Sequence, residues 1–567
     1  MTRTFFFTVA LGHALCAATA YVNGKVLTVT GPGKRAEAFL VDGGRFALVG
    51  TSDEVRKAAG SAADVVDLKG RTVIPGLNDS HTHPIGAGLA EAAGEVPVMK
   101  SIADVQAYVR KLVATQPGNG LIFVPKVYST RLAERRYPTR YELDAASGGR
   151  EAMTDNSYAS VLNSALLARL GIGRETPQPT NGKIIKDARG EPTGLILGAP
   201  ELLGKLRASR QFSFEEKLKA LRQMQRAYNR AGITSTGDRG QNAEGFRVYQ
   251  ELARRKEMTV RTAVTYMMNA GGRVEEVARQ IESIPFVTGW GDEWLRVGPI
   301  KTVADGGILI GTAYLREPYS QHTEVYGYND PDYRGVLNVP RENLIAMAKT
   351  ANRLGWQMTA HTTGGGAIDV LLDAYEEADK EKSIRGRRFT VTHGNFPNAD
   401  SIARARKLGV VFDCQPQWHH FDGPALGPVF GAERVKWFLP LRAMLDAGVV
   451  VAGGSDHMIK YDARDSINAY HPFQAMWMTI TRRMSNGAVL GPEQRITREE
   501  ALRMWTWNGA YLTFEENEKG TIEKGKLADF VVLDRDFATI PEDEIRQIEP
   551  LLTVVGGTVV YRAAKPL

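Results

Sequence analysis

Residues 73–84 read Val73-Ile74-Pro75-Gly76-Leu77-Asn78-Asp79-Ser80-His81-Thr82-His83-Pro84, an apolar run that ends in two histidines one residue apart. On a strand, residues i and i+2 face the same way, so the imidazoles of His81 and His83 can converge on one ion. Imidazole suits zinc and its first-row neighbours. The stretch therefore predicts a strand with a metal site at its end.

Working outward toward the C-terminus, amphipathic helices are repeatedly stopped by a glycine and followed at once by a short β-branched run. Ser213 and Glu216 form a capping box; Leu218, Leu221 and Tyr228 mark one face; Gly232 ends the helix before Ile233-Thr234-Ser235-Thr236. The same grammar recurs at 344–354 with Gly355, at 402–408 with Gly409 and at 441–445 with Gly448. Such alternation predicts parallel strands with crossover helices. Three units deliver a candidate functional residue at a strand's C-terminal end: His361 after 356–360, Gln415 after 410–414 and Asp456 after 449–452. A further run, 388–392, leads directly into His393. Lys301 also lies near the end of a β-run. In a parallel barrel that end is where active sites sit.

The fold class expected is α/β, a (β/α)8 TIM-like barrel over 75–506. A small composite β-sandwich domain is built from both chain ends, 21–74 and 507–567, because 21–74 holds short apolar runs split by Asp42-Gly43-Gly44 and 554–560 reads as a hairpin. Residues 89–230 fit the barrel rhythm poorly. They read as an insertion after the first barrel strand that covers the barrel mouth, a separate domain being the alternative, and open with a helix capped by Ser101 and faced by Val105, Tyr108, Val109, Leu112 and Val113.

Composition narrows the function classes. The chain has 567 residues, 43% hydrophobic and 24% charged, as an ordinary globular protein does. Its net charge of +7 is scattered among acidic residues rather than gathered in runs, which argues against a nucleic-acid partner. No segment after the first twenty residues approaches the roughly 18 apolar residues of a membrane span. Residues 1–20 read as an export signal, with Arg3, an apolar stretch over 5–14 and Ala18-Thr19-Ala20 as cleavage pattern. The expected location is the bacterial periplasm or outside the cell; the alternative is a cytoplasmic enzyme in which this segment is an internal first strand. Cys16 and Cys414 are the two cysteines, and cleavage after Ala20 would leave one, so no disulfide framework is expected.

With these motifs in hand, the chain resembles the amidohydrolase superfamily, in particular its type-3 branch, which includes N-substituted formamide deformylases. The resemblance rests on Ile74-Pro75-Gly76 leading to His81 and His83; Lys301-Thr302-Val303-Ala304-Asp305-Gly306; Glu317-Pro318-Tyr319; Gly355-Trp356-Gln357 before His361; His393; Gly454-Ser455-Asp456; and 525–533, Gly-Lys-Leu-Ala-Asp-Phe-Val-Val-Leu. It implies a metal-dependent amidohydrolase that cleaves a C–N bond of an amide, N-acyl or N-formyl amine with a metal-bound hydroxide. His81 and His83 would hold one divalent ion, zinc by the family's pattern, His361 and His393 a second, with Lys301 bridging as a carbamate; one ion alone is the alternative. Asp456 would be ligand and proton shuttle. A lysine reacts with carbon dioxide only as the neutral amine, so Lys301 needs a depressed pKa.

Departures from the family pattern fall beside these residues: Thr362-Thr363-Gly364-Gly365 after His361, Thr392 before His393, His457-Met458 after Asp456, and Tyr158 where the family has a histidine. Further substrate-binding candidates are Tyr314, Arg316, Trp418, His419 and His420, since aromatics with a few polar tips suit an apolar amide or acylated amine. Gly364-Gly365-Gly366 lacks the surroundings of a phosphate loop. A C–C lyase or isomerase on the same scaffold and a non-catalytic binding relative are the alternatives. Retention of all six ligand-type residues argues against the latter. A homo-oligomer is left open.

Overall fold

The computed structural model describes residues 18–566 except 93, 157, 180, 181, 209, 210, 320, 321 and 329. Eight parallel strands follow one another around a barrel in chain order: β1 (Leu77–Thr82), β2 (Ile233–Gln241), β3 (Arg261–Met267), β4 (Leu295–Val303), β5 (Met358–Thr362), β6 (Thr390–His393), β7 (Val411–Cys414) and β8 (Val451–Gly453). The seam between last and first is closed by the segment just past β8. There the Asp456 N–H donates to the His81 carbonyl (2.8 Å), and the His83 N–H donates to the His457 carbonyl (2.8 Å).

Local sequence explains the crossovers. Helix Phe214–Arg230 starts at the Ser213–Glu216 capping box. Gly355 (φ 89°) and Gly409 (φ 71°) end helices Arg341–Leu354 and Ala399–Leu408 in the left-handed conformation, which lacks a steric cost only for glycine. Strands β1, β5, β6 and β7 are buried at every position, as strands covered on both faces must be.

Within the expected insertion, five strands form a separate sheet in the order Gly182–Lys186, Pro192–Gly198, Ala159–Leu162, Ala152–Asp155, Ile122–Pro125. Helix Phe214–Arg230 falls inside the same 89–230 range but belongs with the barrel. It packs beside helix Pro84–Ala90, so closely that a β-carbon on Gly88 would meet Ala220 at 2.9 Å, and it leads into β2.

The two chain ends share one sheet, as expected of a composite domain, and a second sheet is built from the N-terminal end alone. One sheet runs Thr558–Arg562, Pro550–Val555, Phe530–Leu533, Thr72–Pro75, Lys25–Leu27, Arg35–Ala36; the other runs Arg45–Gly50, Ala38–Asp42, Thr19–Val22, Asp64–Asp67. Tyr21, Phe39, Phe46 and Phe530 pack into the domain's core, Tyr21 stacked on Phe39, Phe530 edge to face on both, and Phe46 edge to face on Phe39. Gly556 and Gly557, both at positive φ, turn the C-terminal hairpin as a type I′ turn requires. The range 507–567 is not all β: it begins with helix Trp507–Leu512, whose Asn508 side chain donates to the Val451 carbonyl of β8 (2.8 Å). Of the export signal, residues 1–17 lie outside the described residues, while Thr19 and Ala20 pair with Val41 and Leu40 as the first residues of a strand. Among the described residues no helix is long and apolar enough to cross a membrane.

Candidate metal centre

β1 brings His81 to the barrel's C-terminal end, and His83 follows one residue beyond the strand. Asp456 comes from the loop after β8. Its Oδ1 lies 3.2 Å from His81 Nε2 and 3.2 Å from His83 Nε2, and the ligand-type atoms of the three residues all lie within 4.8 Å of one another. Asp456 adopts φ 52°, a left-handed conformation that is uncommon outside glycine and recurs at functional sites. The conformation is held by its own N–H to His81 and by Asn468 Nδ2, which donates to the Asp456 carbonyl (2.7 Å) and to Oδ2 (3.2 Å).

Lys301 in β4, His361 in β5 and His393 at the end of β6 (φ 76°) bound the same cleft. The His393 ring centroid is 4.3 Å from that of His361 and 4.9 Å from that of His81. The Gly306 carbonyl can only accept, so His361 Nε2 (3.2 Å away) donates to it. His361 Nδ1 is thereby left as the lone-pair nitrogen, facing the Tyr158 hydroxyl at 3.4 Å.

The electrostatics match a ligand set. Burial, reinforced by the Lys301 charge, pulls His361 down to about 3; burial also lowers His83 and takes His393 well below the usual range. Burial pushes Asp456 up, but His81, His83 and His393 outweigh it and hold the carboxyl well below its ordinary value. Burial brings Lys301 down to about 8. Neutral imidazoles and an ionised carboxylate are the forms that bind metal. His81 Nε2 is buried without a hydrogen-bond partner, its separation from Asp456 lacking hydrogen-bond geometry. An orphaned lone pair beside a second imidazole and a carboxylate fits a divalent ion.

Two buried groups behind the cleft, Asp413 and Arg239, carry no motif of their own and were missed in the sequence, and a third, Asp305, lies in the 301–306 motif but was given no role there. Asp413 on β7 accepts from Ser80 (2.7 Å) and His81 Nδ1 (3.1 Å) and pairs with Arg239 Nε (3.3 Å). Burial pushes Asp413 up, and Arg239 and His81 more than offset this, so it stays below the carboxylate range. Asp305, driven by burial up to about 7, pins the loop after β5 by accepting from the backbone N–H groups of Tyr314 (3.0 Å), Thr363 (3.0 Å) and Gly364 (2.8 Å).

Of the other sequence candidates, Tyr158 alone lines the cleft. Of the remaining six, five turn their side chains to structural partners, and Tyr314 is held through its backbone. Arg316 pairs bidentately with Asp369 (2.6 and 2.7 Å), and Tyr314 is tied through its backbone to Asp305 and Ala367. Buried imidazoles need acceptors: His419 meets the Leu490 carbonyl (3.1 Å), His420 that of Arg483 (2.8 Å), and His457 those of Ile459 and Lys460 (2.9 and 2.7 Å). Trp418 stacks behind His393, centroids 4.8 Å apart, and so backs the site without lining it.

The cleft encloses about 490 Å³ between these groups and Leu89, Phe123, Pro125, Phe212, Met267 and Met458, with Lys126 and Asp155 as further polar members. Larger hollows, such as one of about 810 Å³ between residues 27–35 and helix Arg498–Met504, hold none of the clustered histidines. Phe123, Pro125, Lys126, Asp155 and Phe212 come from the insertion, whose strand ends face the barrel mouth.

Comparison with known proteins gives concordant findings. The model of the amidohydrolase family matches residues 64–561. An N-substituted formamide deformylase of Arthrobacter pascens is 30% identical over 555 residues, covering 95% of this chain and 97% of its own. Among solved structures, an uncharacterized metal-dependent hydrolase from Pyrococcus horikoshii superposes with TM-score 0.70 at 24% identity, over 93% of this chain and 99% of that one. Atrazine chlorohydrolase from Arthrobacter aurescens, complexed with zinc, does so with TM-score 0.55 at 15% identity, over 97% and 96%; both likenesses are of fold.

Proposed function

We propose that this chain, which belongs to the amidohydrolase family, releases an amine from an apolar N-formyl or N-acyl amine by hydrolysis. It is a metal-dependent hydrolase of C–N bonds by family. The observation that carries the substrate reading is the placement of the His81, His83 and Asp456 cluster, with its orphaned Nε2, at the floor of a cleft walled mainly by apolar side chains. The identity with a formamide deformylase supports the same class.

When bound by His81, His83 and Asp456, and by Lys301, His361 and His393 where a second ion is present, divalent metal such as zinc supplies Lewis acidity and a water of lowered pKa. Asp456, ionised and oriented by Asn468, takes the proton of the attacking water on its carboxylate and passes it to the departing nitrogen. Phe123, Phe212, Met267 and Met458 hold the apolar part of the substrate and keep bulk water from the reacting carbonyl.

The test is a panel of N-formyl, N-acetyl and longer N-acyl amines given to zinc-loaded and to chelator-stripped enzyme, with amine and acid both quantified. Equal release of the two, lost on stripping and restored by zinc, is expected. Full turnover by metal-free protein, or bond cleavage without amine release, would overturn the proposal.

A further inference from the structure

Gln415, one residue past β7, stands at the start of helix Pro416–Val435 yet its side chain makes no capping bond there. It is fully buried, as is Asp413 two residues before it. Its amide instead spans two groups: Nε2 lies 3.2 Å from Asp413 Oδ1, and Oε1 lies 2.7 Å from His393 Nδ1. We infer that Gln415 is a positioning residue which, together with Asp413, fixes the protonated nitrogen of two histidines on different strands, His81 of β1 and His393 of β6.

The argument is one of donors and acceptors. Asp413, paired with Arg239 (3.3 Å) and already accepting from the Ser80 hydroxyl (2.7 Å), offers only lone pairs. His81 Nδ1, 3.1 Å from Oδ2, must therefore carry a proton. Gln415 must turn its NH₂ toward Asp413, so its carbonyl oxygen faces His393, and a carbonyl only accepts. His393 Nδ1 then carries a proton too. In the neutral form both rings then keep their lone pair on Nε2, and a single carboxylate dictates both. A ring nitrogen's partner sets which nitrogen is available to metal. The inference deepens the proposed metal centre, but the tautomers exist without metal or substrate and are measured without either.

The experiment uses the full chain labelled with ¹⁵N at its ten histidines, stripped of metal, with long-range ¹H–¹⁵N correlation near neutral pH, followed by zinc titration against a chromophoric chelator. Wild type should show Nδ1–H at His81 and His393. Gln415→Leu should release His393 from that tautomer while His81 keeps it. Asp413→Asn should disturb both, and Gln415→Glu, which retains an acceptor, should restore His393. Zinc affinity of Gln415→Leu should fall about 10- to 100-fold, the usual effect of losing an orienting partner. Gln415→Met, close to glutamine in length, takes the same measurement should the leucine variant not fold. A His393 that stays Nδ1-protonated without Gln415, whatever the zinc affinity does, overturns the inference.

Discussion

Asp456 is the residue on which geometry and chemistry bear most heavily. It sits at φ 52° with its carboxylate between two imidazoles, and such backbone strain persists only where the surroundings over-determine it. Asp456→Asn keeps shape and side-chain volume but cannot accept the proton. The variant should fold and retain most of its metal while kcat drops by about 10² to 10⁴, the scale of general acid–base catalysis. Were the carboxylate only a turn-stabilising group, asparagine would serve nearly as well, so near-wild-type turnover refutes the shuttle. Lys301 gives a second prediction at this scale. Burial takes its amine down to about 8, so it is mainly charged below that pH and mainly neutral above it. Carbamate forms from the neutral amine alone. ¹³C-bicarbonate should therefore label the metal-stripped chain increasingly as pH rises through 8, and a carbonyl signal absent at all pH values, or present equally in Lys301→Met, would discard the carbamate. His81 and His83 were legible because the two-residue period of a strand is local. Asp413 was not, since its partners Ser80, His81 and Arg239 are more than 170 residues away in sequence and nothing beside it marks a buried charge.

The seam between β8 and β1 is the element on which the site depends, because it carries His81 on one side and Asp456 on the other. Gly454 lies within it: its N–H donates to the Cys414 carbonyl (2.9 Å), and a β-carbon there would meet the His81 β-carbon at 2.7 Å and the His81 backbone nitrogen at 2.9 Å. Neither contact can swing away, as both belong to the backbone frame of a buried strand. Gly454→Ala should therefore spread the seam at a cost of about 1–3 kcal/mol, the usual range for overpacking, and lower the metal content together with the denaturation midpoint. A variant with unchanged midpoint and metal stoichiometry would show that the seam has slack. The Gly454-Ser455-Asp456 motif was readable as a string, and the crossover helices were readable because their caps, such as Ser213 with Glu216, are local. The orientation of Trp418, His419 and His420 was not readable, because each is set by a carbonyl or side chain brought up from another loop, and that of His457 was not, because Tyr228 of the distant helix Phe214–Arg230 faces its Nδ1. The cleft wall from the insertion was hidden for the same reason: Phe123 and Asp155 reach the barrel mouth through the parallel pairing of Ile122–Pro125 with Ala152–Asp155, a register that no local signal announces.

Across the whole molecule the barrel is held at its two ends by different pieces of chain, the insertion over the C-terminal mouth and the composite β domain at the N-terminal end of β1. The latter junction explains the 525–533 motif. Asp529 accepts the Gly76 N–H on its carbonyl (2.8 Å) just before β1, and its carboxylate takes Arg261 of β3 bidentately (2.8 and 3.1 Å) and the Gly556 N–H of the terminal hairpin (2.7 Å). Arg261, 1% exposed and stacked over Trp294 at 4.5 Å, has a second carboxylate, Glu293, 3.7 Å away. Asp529→Ala leaves that guanidinium buried with its main counter-charge gone, and breaking one side of a buried pair costs about 3–5 kcal/mol. Since Asp529 links residues 76, 261 and 556, the loss should appear as a lower midpoint for the entire chain, followed by calorimetry and by inactivation half-life, whereas kcat at low temperature stays near wild type because the pair is remote from Asp456. Replacing both partners, Arg261→Met with Asp529→Leu, should recover a large part of the loss, as hydrophobic substitutes for buried ion pairs often do. If Asp529→Ala alone melts as the wild type does, the pair is not what fastens the β domain to the barrel. If it lowers kcat without lowering the midpoint, Asp529 acts on the site rather than on the fold.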